Sequence, residues 1–165
     1  MKISRLFFFG LLLFAGCAAM RAHLARESTL IRELDAYVIP KPLPEAWESV
    51  SVVTPLFWHG TMLTWDDDGP WRKRSSSRTD NYQSDGDDHI NVTWLECEGR
   101  EAPNGSQVRY FEVTERTTYR QGQKLGTDKS VDRRTDLELE LVKRFDVPAA
   151  QRIQAAAEKA AAAAE

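Results

Sequence analysis

The chain has 165 residues but contains little of what enzymes and nucleic-acid-binding proteins display. It has two cysteines and three histidines, and it lacks the G-x-S-x-G, H-E-x-x-H, Walker and G-x-G-x-x-G motifs. Its net charge is −3 and it has no sustained stripe of Lys and Arg, which argues against nucleic acid as a partner. These absences predict a protein that is not an enzyme, with no catalytic residues, no metal site and no cofactor.

Long apolar runs are also missing, apart from one short run near the N-terminus. Lys2 and Arg5 precede the uncharged residues 6–15. As a helix these ten residues span about 15 Å, which is roughly half of the hydrocarbon core of a bilayer. The run ends on small residues directly before Cys17. A charged start, a short apolar middle and a small-residue exit are typical of a secretory signal peptide, here residues 1–16.

The exit of this segment, Phe14-Ala15-Gly16-Cys17, resembles the lipobox of bacterial lipoproteins. The resemblance implies that Cys17 carries the lipid and becomes the first residue of the mature protein, although Phe14 stands where the family usually has Leu. Ala18 replaces the aspartate of the inner-membrane retention signal, which implies the outer membrane. The membrane is then a partner through the lipid anchor, and the domain faces the periplasm or, alternatively, the cell surface. A secreted protein with a chance cysteine is the other reading.

The remaining chain is long enough for one domain with its own core. Residues 17–33 are predicted to be the lipidated cysteine and a partly helical tether, because a short helix without packing is marginal in water. Residues 34–165 are predicted to form a single domain that ends in an Ala-rich helix at 147–164. Cys97 then has no partner within the chain, so we expect its thiol to be buried.

The domain is predicted to begin with a strand at Tyr37–Ile39. Three prolines follow, and Pro44 suits the first turn of a short helix that would place Trp47, Val50 and Val53 on one face. Farther along, residues 66–70 form a turn signal with a strand on either side.

Several antiparallel strands are predicted in the middle of the chain. Residues 72–83 read as one exposed strand and residues 84–89 as a turn. Residues 89–97 read as a strand with Ile90, Val92 and Trp94 on one face, and a hairpin at Asn104-Gly105 leads into another strand.

Residues 135–145 fit two patterns. Thr135 and Glu138 fit a helix capping box, whereas three leucines alternate with glutamates at the period of a strand. We favour the strand because of that period, and because Asp146 is an apt N-cap for the final helix. The first half of that helix is predicted to pack on the sheet and its Ala-rich end to protrude.

This order of elements predicts an α+β fold, an antiparallel sheet with a short helix after the first strand and a C-terminal helix packed on one face. The segment 37–47, YVIPKPLPEAW, resembles the start of the helix-grip repeats in BamC, a lipoprotein of the β-barrel assembly machinery. There a strand and a proline turn lead into a helix that bears a tryptophan. This resemblance carries no functional residues across.

Tryptophans provide the candidate binding site. Trp58, Trp65 and Trp71 could line an aromatic groove for an apolar or peptide ligand, with Arg72 holding an anionic head group. The alternatives are an ordinary aromatic core and a solvated strand face.

Histidine and aspartate clusters provide weaker candidates. His59 or His89 could join Asp87 or Asp88 in a metal site or serve a hydrolase. The acidic runs at 66–68 and 85–88 lack the glutamate that a calcium loop needs six residues after its glycine, so solvated turns are expected.

The function predicted from these features is that of a non-catalytic outer-membrane lipoprotein whose periplasmic domain binds, or helps to assemble, another envelope component. An envelope protein is the candidate partner. The alternative is a carrier for an apolar or lipid-like ligand.

Overall fold

The computed structural model describes the backbone of residues 4–53 and 64–165 and the side chains of residues 18–53 and 64–165. The α+β class predicted from the sequence is confirmed. The helices are α1 (Ser4–Ala36), α2 (Leu43–Glu48), α3 (Val50–Val53), α4 (Thr135–Phe145) and α5 (Val147–Ala162). The strands are β1 (Trp65–Asp67), β2 (Arg72–Ser75), β3 (Arg78–Ser84), β4 (Asp87–Ala102), β5 (Gly105–Arg120) and β6 (Gln123–Arg133).

All six strands belong to one antiparallel sheet in the order β1-β2-β4-β5-β6, with β3 also paired to β4. The strands predicted on either side of the 66–70 turn are confirmed. The single strand predicted over 72–83 is instead two strands, because Ser76 and Ser77 interrupt the extended pairing and belong to neither strand. Both strands pair with the same edge of β4, β2 with residues 96–98 and β3 with residues 87–93.

The sheet has an inner face, which the helices cover, and an outer face. Leu95 and Cys97 of β4 and Tyr110 of β5 point to the inner face and are buried against α2, α3 and α4. Trp94 lies on the outer face together with its register partner Val113. The face of β4 that carries Ile90, Val92 and Trp94 is therefore the one that the helices leave uncovered.

The prediction of a strand at 135–145 is wrong, because this segment is helix α4. Leu137 and Leu141 pack in the main core against the sheet, while Leu139 and Val142 pack on the opposite side against α1 and α5. Apolar residues on two sides of one helix produce the alternation that resembles a strand. The predicted capping box does not form, since Arg134 is the N-cap and makes no side-chain cap.

Residues 17–33, predicted to be a partly helical tether, are instead helical throughout and packed into the domain. The segment belongs to α1, a helix of 33 residues or about 50 Å, and its Leu30 is buried in a second apolar cluster with α4 and α5. Leu34 extends this cluster toward the end of the helix. Packing supplies the stability that an isolated helix of this length lacks.

The N-terminus of α5 was predicted correctly. An oxygen of Asp146 accepts a hydrogen bond from the backbone N–H of Ala149 at 2.9 Å, and Pro148 occupies the first turn. The Ala-rich end does not protrude, contrary to the prediction, because Ala157 is fully buried and α5 lies along α1. Small side chains allow the two helix backbones to approach closely.

The entry into the short helices is partly as predicted. Ile39 makes a single β-bridge to Ser106 where a strand was expected. Pro44 lies in the first turn of α2, and Val50 and Val53 are buried while Trp47 is half-buried, which confirms the predicted face.

Two close contacts with α2 explain why residue 99 of the β4–β5 hairpin is a glycine. A Cβ on Gly99 would lie 2.8 Å from Leu43 Cδ1 and 2.9 Å from Trp47 Cζ3, so only glycine lets α2 approach the sheet this closely.

The predicted hairpin is present, but its two turn residues are Pro103 and Asn104, with φ of +67° at Asn104.

Candidate interaction surface

The predicted lipidation position lies on the backbone of α1. Only four residues separate Cys17 from Ala22, the first residue of the helix known to be buried. Within the part of the chain that the structure describes, no helix has both the length and the apolar content needed to cross a bilayer. Lipidation of Cys17 remains a prediction.

Of the residues predicted to line an aromatic groove, Trp58 lies outside the described residues. Trp65 and Trp71 both pack against the main core, and the ring of Trp71 meets that of Trp47 edge to face at 6.0 Å. Arg72 is on the outer face, where it pairs with Glu98 at 2.6 Å. Trp65 and Trp71 thus contact the same core without a described contact to each other, while Arg72 lies on the opposite face of the sheet.

The side chain of Trp65 departs from ordinary core packing in one respect. Its indole N–H is buried and finds no acceptor among the described residues. Buried indole N–H groups usually have a hydrogen-bond partner. This N–H is therefore a donor that an acceptor group of a ligand can satisfy.

The histidines are dispersed. His59 lies outside the described residues, and His23 is exposed on α1. His89 stacks on Tyr82 with ring centroids 4.8 Å apart, and its Nδ1 lies 3.1 Å from Thr118 Oγ1. Among the described residues, no three His, Cys, Asp or Glu side chains lie close enough together to hold a metal ion.

The carboxylate next to His89 belongs to an ion pair. Asp87 accepts two hydrogen bonds from Arg120, at 2.7 and 2.9 Å, which lower the pKa of its carboxyl. This pair joins β4 to β5. The β3–β4 hairpin itself is closed by the two residues Asp85 and Gly86, which both have positive φ, so Asp87 and Asp88 of the predicted 84–89 turn belong to β4.

The thiol of Cys97 is buried, as predicted. It lies in the main core, and burial, with a smaller contribution from Glu138, raises its pKa well above the ordinary value. A buried, protonated thiol is a poor nucleophile.

A buried ion pair at the start of α4 was missed by the sequence reasoning. Glu138 is 3% exposed and accepts two hydrogen bonds from Arg133, at 2.8 and 2.7 Å. It also accepts the backbone N–H of Tyr110 at 3.2 Å. Burial raises the pKa of Glu138 in spite of its partner Arg133. Because β6 ends at Arg133, the carboxylate replaces a neighbouring strand as the acceptor for β5.

A cavity of about 470 Å³ lies between α1, α4 and α5. Its cationic residues are already paired: Arg26 with Glu27 at 3.1 Å, and Arg134 with Glu112 and Asp136 at 2.7 and 2.6 Å. The cavity therefore offers little uncompensated positive charge to an anionic ligand.

A broad exposed surface among the described residues is the half of the sheet that extends beyond the helices, which we call the distal half. It consists of β3, residues 87–93, residues 114–120 and residues 123–130. Every residue of β3 is exposed, as are ten of the eleven residues of β6. Cross-strand polar pairs hold this half together, among them Thr93 with Thr114 at 3.2 Å and Thr117 with Thr127 at 3.1 Å.

At the base of the distal half, the outer face carries an aromatic residue beneath two cations. The guanidinium of Arg74 lies 4.1 Å from the ring centroid of Trp94, and the ammonium of Lys129 lies 5.5 Å from it. Beside them Val131 is 56% exposed in register with the buried Val113. Apolar and cationic groups thus form one patch on an otherwise polar sheet.

Sequence reasoning could have found part of this patch. The alternation of Ile90, Val92 and Trp94 marks one face of β4, but it does not reveal whether helices cover that face. No family model, curated protein or solved structure matches the chain. The resemblances to lipoproteins and to helix-grip domains therefore rest on the quoted sequence motifs.

Proposed function

We propose that this protein is a non-catalytic lipoprotein, anchored to the outer membrane through Cys17, that binds another envelope component with the distal half of its sheet. The observation that carries this proposal is the exposure of β3 and β6 at nearly every position. Most antiparallel sheets cover one face with their own core. A sheet that leaves both faces uncovered offers a broad, flat surface, which suits a macromolecule better than a small molecule.

The outer face is the favoured contact surface. Arg74 and Lys129 provide positive charge, and Val131 adds exposed apolar area beside Trp94. Arg is enriched at protein interfaces, and Trp94, which is itself buried, supports Arg74 and Lys129 from below. A partner with an acidic rim around an apolar centre would complement this patch.

The predicted lipid anchor at Cys17 supports the same proposed function, the binding of another envelope component. A lipidated Cys17 would begin a helix that packs into the domain within about two turns, because Ala22 is already buried. The domain would then be held close to the bilayer, in reach of other envelope components.

Photocrosslinking in intact cells tests this proposal. A photoreactive amino acid at Val131 or at Glu115, both exposed on the outer face, should give a discrete crosslinked band. The same amino acid at Gln151, exposed on α5, is the matched control. Val131→Glu should weaken the band from Glu115. Equal crosslinking from Gln151 and from the outer face, or none from either, would overturn the proposal.

A carrier for an apolar ligand is the second candidate, favoured by the indole N–H of Trp65, which is buried at the main core without an acceptor among the described residues. A ligand carbonyl would satisfy that donor. Native mass spectrometry of the purified protein should then show an added mass that Trp65→Phe reduces. An unliganded mass from freshly prepared protein would count against this function.

A further inference from the structure

Helix α1 exposes an apolar stripe beside the predicted lipidation position. Met20 is 60% exposed, Leu24 59% and Ile31 37%. Exposed apolar residues are common when scattered singly, but a row of them along one helix indicates an interaction surface. We call these three residues the α1 stripe.

Helical geometry places the α1 stripe on the side of α1 that faces away from the domain. At about 100° per residue, positions 17, 20, 24 and 31 fall within one sector of about 60°. The buried residues Ala22, Thr29 and Leu30 lie on the other side, against α4 and α5. The attachment position of the lipid and the α1 stripe therefore share one side of the helix.

From this arrangement we infer that the α1 stripe lies in the headgroup region of the bilayer, so that α1 runs along the membrane surface instead of standing upright on it. The inference rests on the proposed lipidation of Cys17. Acyl chains at position 17, the first residue of the lipidated protein, would hold the stripe within reach of the bilayer, because Met20 lies less than one helical turn from that position. An apolar helix face flanked by basic residues is the pattern of an interfacial helix.

The charges around the α1 stripe fit a lipid surface. Arg21 and Arg32 are exposed along one flank, where Arg21 can reach lipid phosphates and Arg32 pairs with Glu33 at 3.0 Å. The nearby carboxylates are neutralised within the protein. Glu27 accepts hydrogen bonds from Arg26 and Thr135.

Asp35 is the other carboxylate on this side of α1. It pairs with Arg109 at 2.7 Å and with Arg133 at 2.9 Å. The stripe therefore does not present an uncompensated negative charge to the anionic headgroups.

Depth measurements with spin labels test the orientation. The full-length lipidated protein is reconstituted in vesicles of phosphatidylethanolamine and phosphatidylglycerol, with a label at Leu24→Cys or at Ile31→Cys in a Cys97→Ala background. Labels at Val52→Cys and Leu125→Cys, which replace comparably exposed apolar residues elsewhere, are the controls.

We expect the labels at 24 and 31 to be equally shielded from a water-soluble relaxation agent and both accessible to oxygen. The labels at 52 and 125 should be fully accessible to the water-soluble agent. In an upright helix, position 31 would lie about 10 Å farther from the bilayer than position 24. A label at 31 as accessible to water as the label at 52 would overturn the inference.

A second variant separates the stripe from the lipid. Met20→Ser, Leu24→Ser and Ile31→Ser together leave Cys17 intact, and they replace exposed side chains, so the fold should persist. We expect a label at Ser28→Cys to move from the interface into water in this variant. An unchanged depth would overturn the inference by showing that lipid alone sets the orientation.

Mass spectrometry of the N-terminal peptide distinguishes this inference from the proposed function. A peptide without acyl chains would refute the anchor and the proposed function with it. An acylated peptide whose protein floats with vesicles, but whose label at 31 is in water, would refute the orientation alone.

Discussion

Removal of the buried carboxylate of Glu138 should destabilise the protein strongly. In Glu138→Ala the backbone N–H of Tyr110 loses its acceptor, and Arg133 loses both hydrogen bonds to the carboxylate. Breaking a buried ion pair typically costs 3–5 kcal/mol. Arg133 keeps Asp35 at 2.9 Å, so we expect the lower end of that range, about 3 kcal/mol.

Urea denaturation of the chain from residue 18 onward, which keeps both apolar clusters, measures this loss. Glu138→Gln should lose about 1–2 kcal/mol, because the amide nitrogen places a donor where a carboxylate oxygen accepts a hydrogen bond from Arg133. Glu140→Gln on the same helix is the control, since Glu140 contacts Lys143 at only 3.6 Å near the surface. It should change the free energy of unfolding by less than about 0.5 kcal/mol.

The pH dependence gives an independent check. Burial raises the pKa of Glu138 in the folded protein above its unfolded value, so the folded state binds the proton more tightly. The stabilisation from this proton is complete below the unfolded pKa and is lost as pH rises through the folded pKa. The difference in stability between the wild type and Glu138→Gln should therefore increase as pH falls. A loss below about 1 kcal/mol in Glu138→Ala, or a difference that shrinks on acidification, would refute this account.

Three further predictions follow from local geometry. Gly99→Ala should lose about 1–3 kcal/mol in urea denaturation by overpacking under α2, whereas Gly126→Ala, where a Cβ meets nothing within 4 Å, should be close to neutral. Cys97 should react with a thiol reagent only on unfolding, because it is buried; rapid labelling of native protein would contradict this. Asn104→Gly should keep its melting temperature while Asn104→Ala lowers it, because φ there is +67°; equal effects would contradict the turn geometry.

Helix and turn signals were predictable where one local feature determines the structure. Asp146 caps α5, and Pro44 lies in the first turn of α2. Both features were predictable because a side chain at a helix terminus influences only the backbone of the adjacent few residues. The turn at Asp85-Gly86 was predictable for the same reason. These features do not depend on what packs against them.

The errors arose where packing decides. α4 is buried on two sides, and its leucines therefore mimic the period of a strand. The segment before Ala36 looked too weak to hold a helix alone, yet α5 packs along it. β6 has no apolar face, so no periodicity in the sequence marks it, and only pairing with β5 makes it a strand.

The candidate surface was predictable only in part for the same physical reason. The aromatic residues of β4 could be read from the sequence, but Arg74 and Lys129 come from strands that are distant in the chain, and the register of the sheet alone brings them to Trp94. The predicted tryptophan groove, by contrast, depended on neighbours in sequence. Trp71 and Arg72 are adjacent in the chain, yet Arg72 is paired on the outer face.

The layers of the fold connect the two proposed surfaces. The sheet packs on α2, α3 and α4 with its inner face, and α1 packs on α4 and α5 with the side opposite its apolar stripe. If the α1 stripe lies on the bilayer, the helical layer separates the membrane from the sheet, and the outer face with Trp94 and Val131 is directed away from it. Crosslinks from Val131 should then reach a component that extends into the aqueous phase, and crosslinks to lipid from that position would contradict one of the two surfaces.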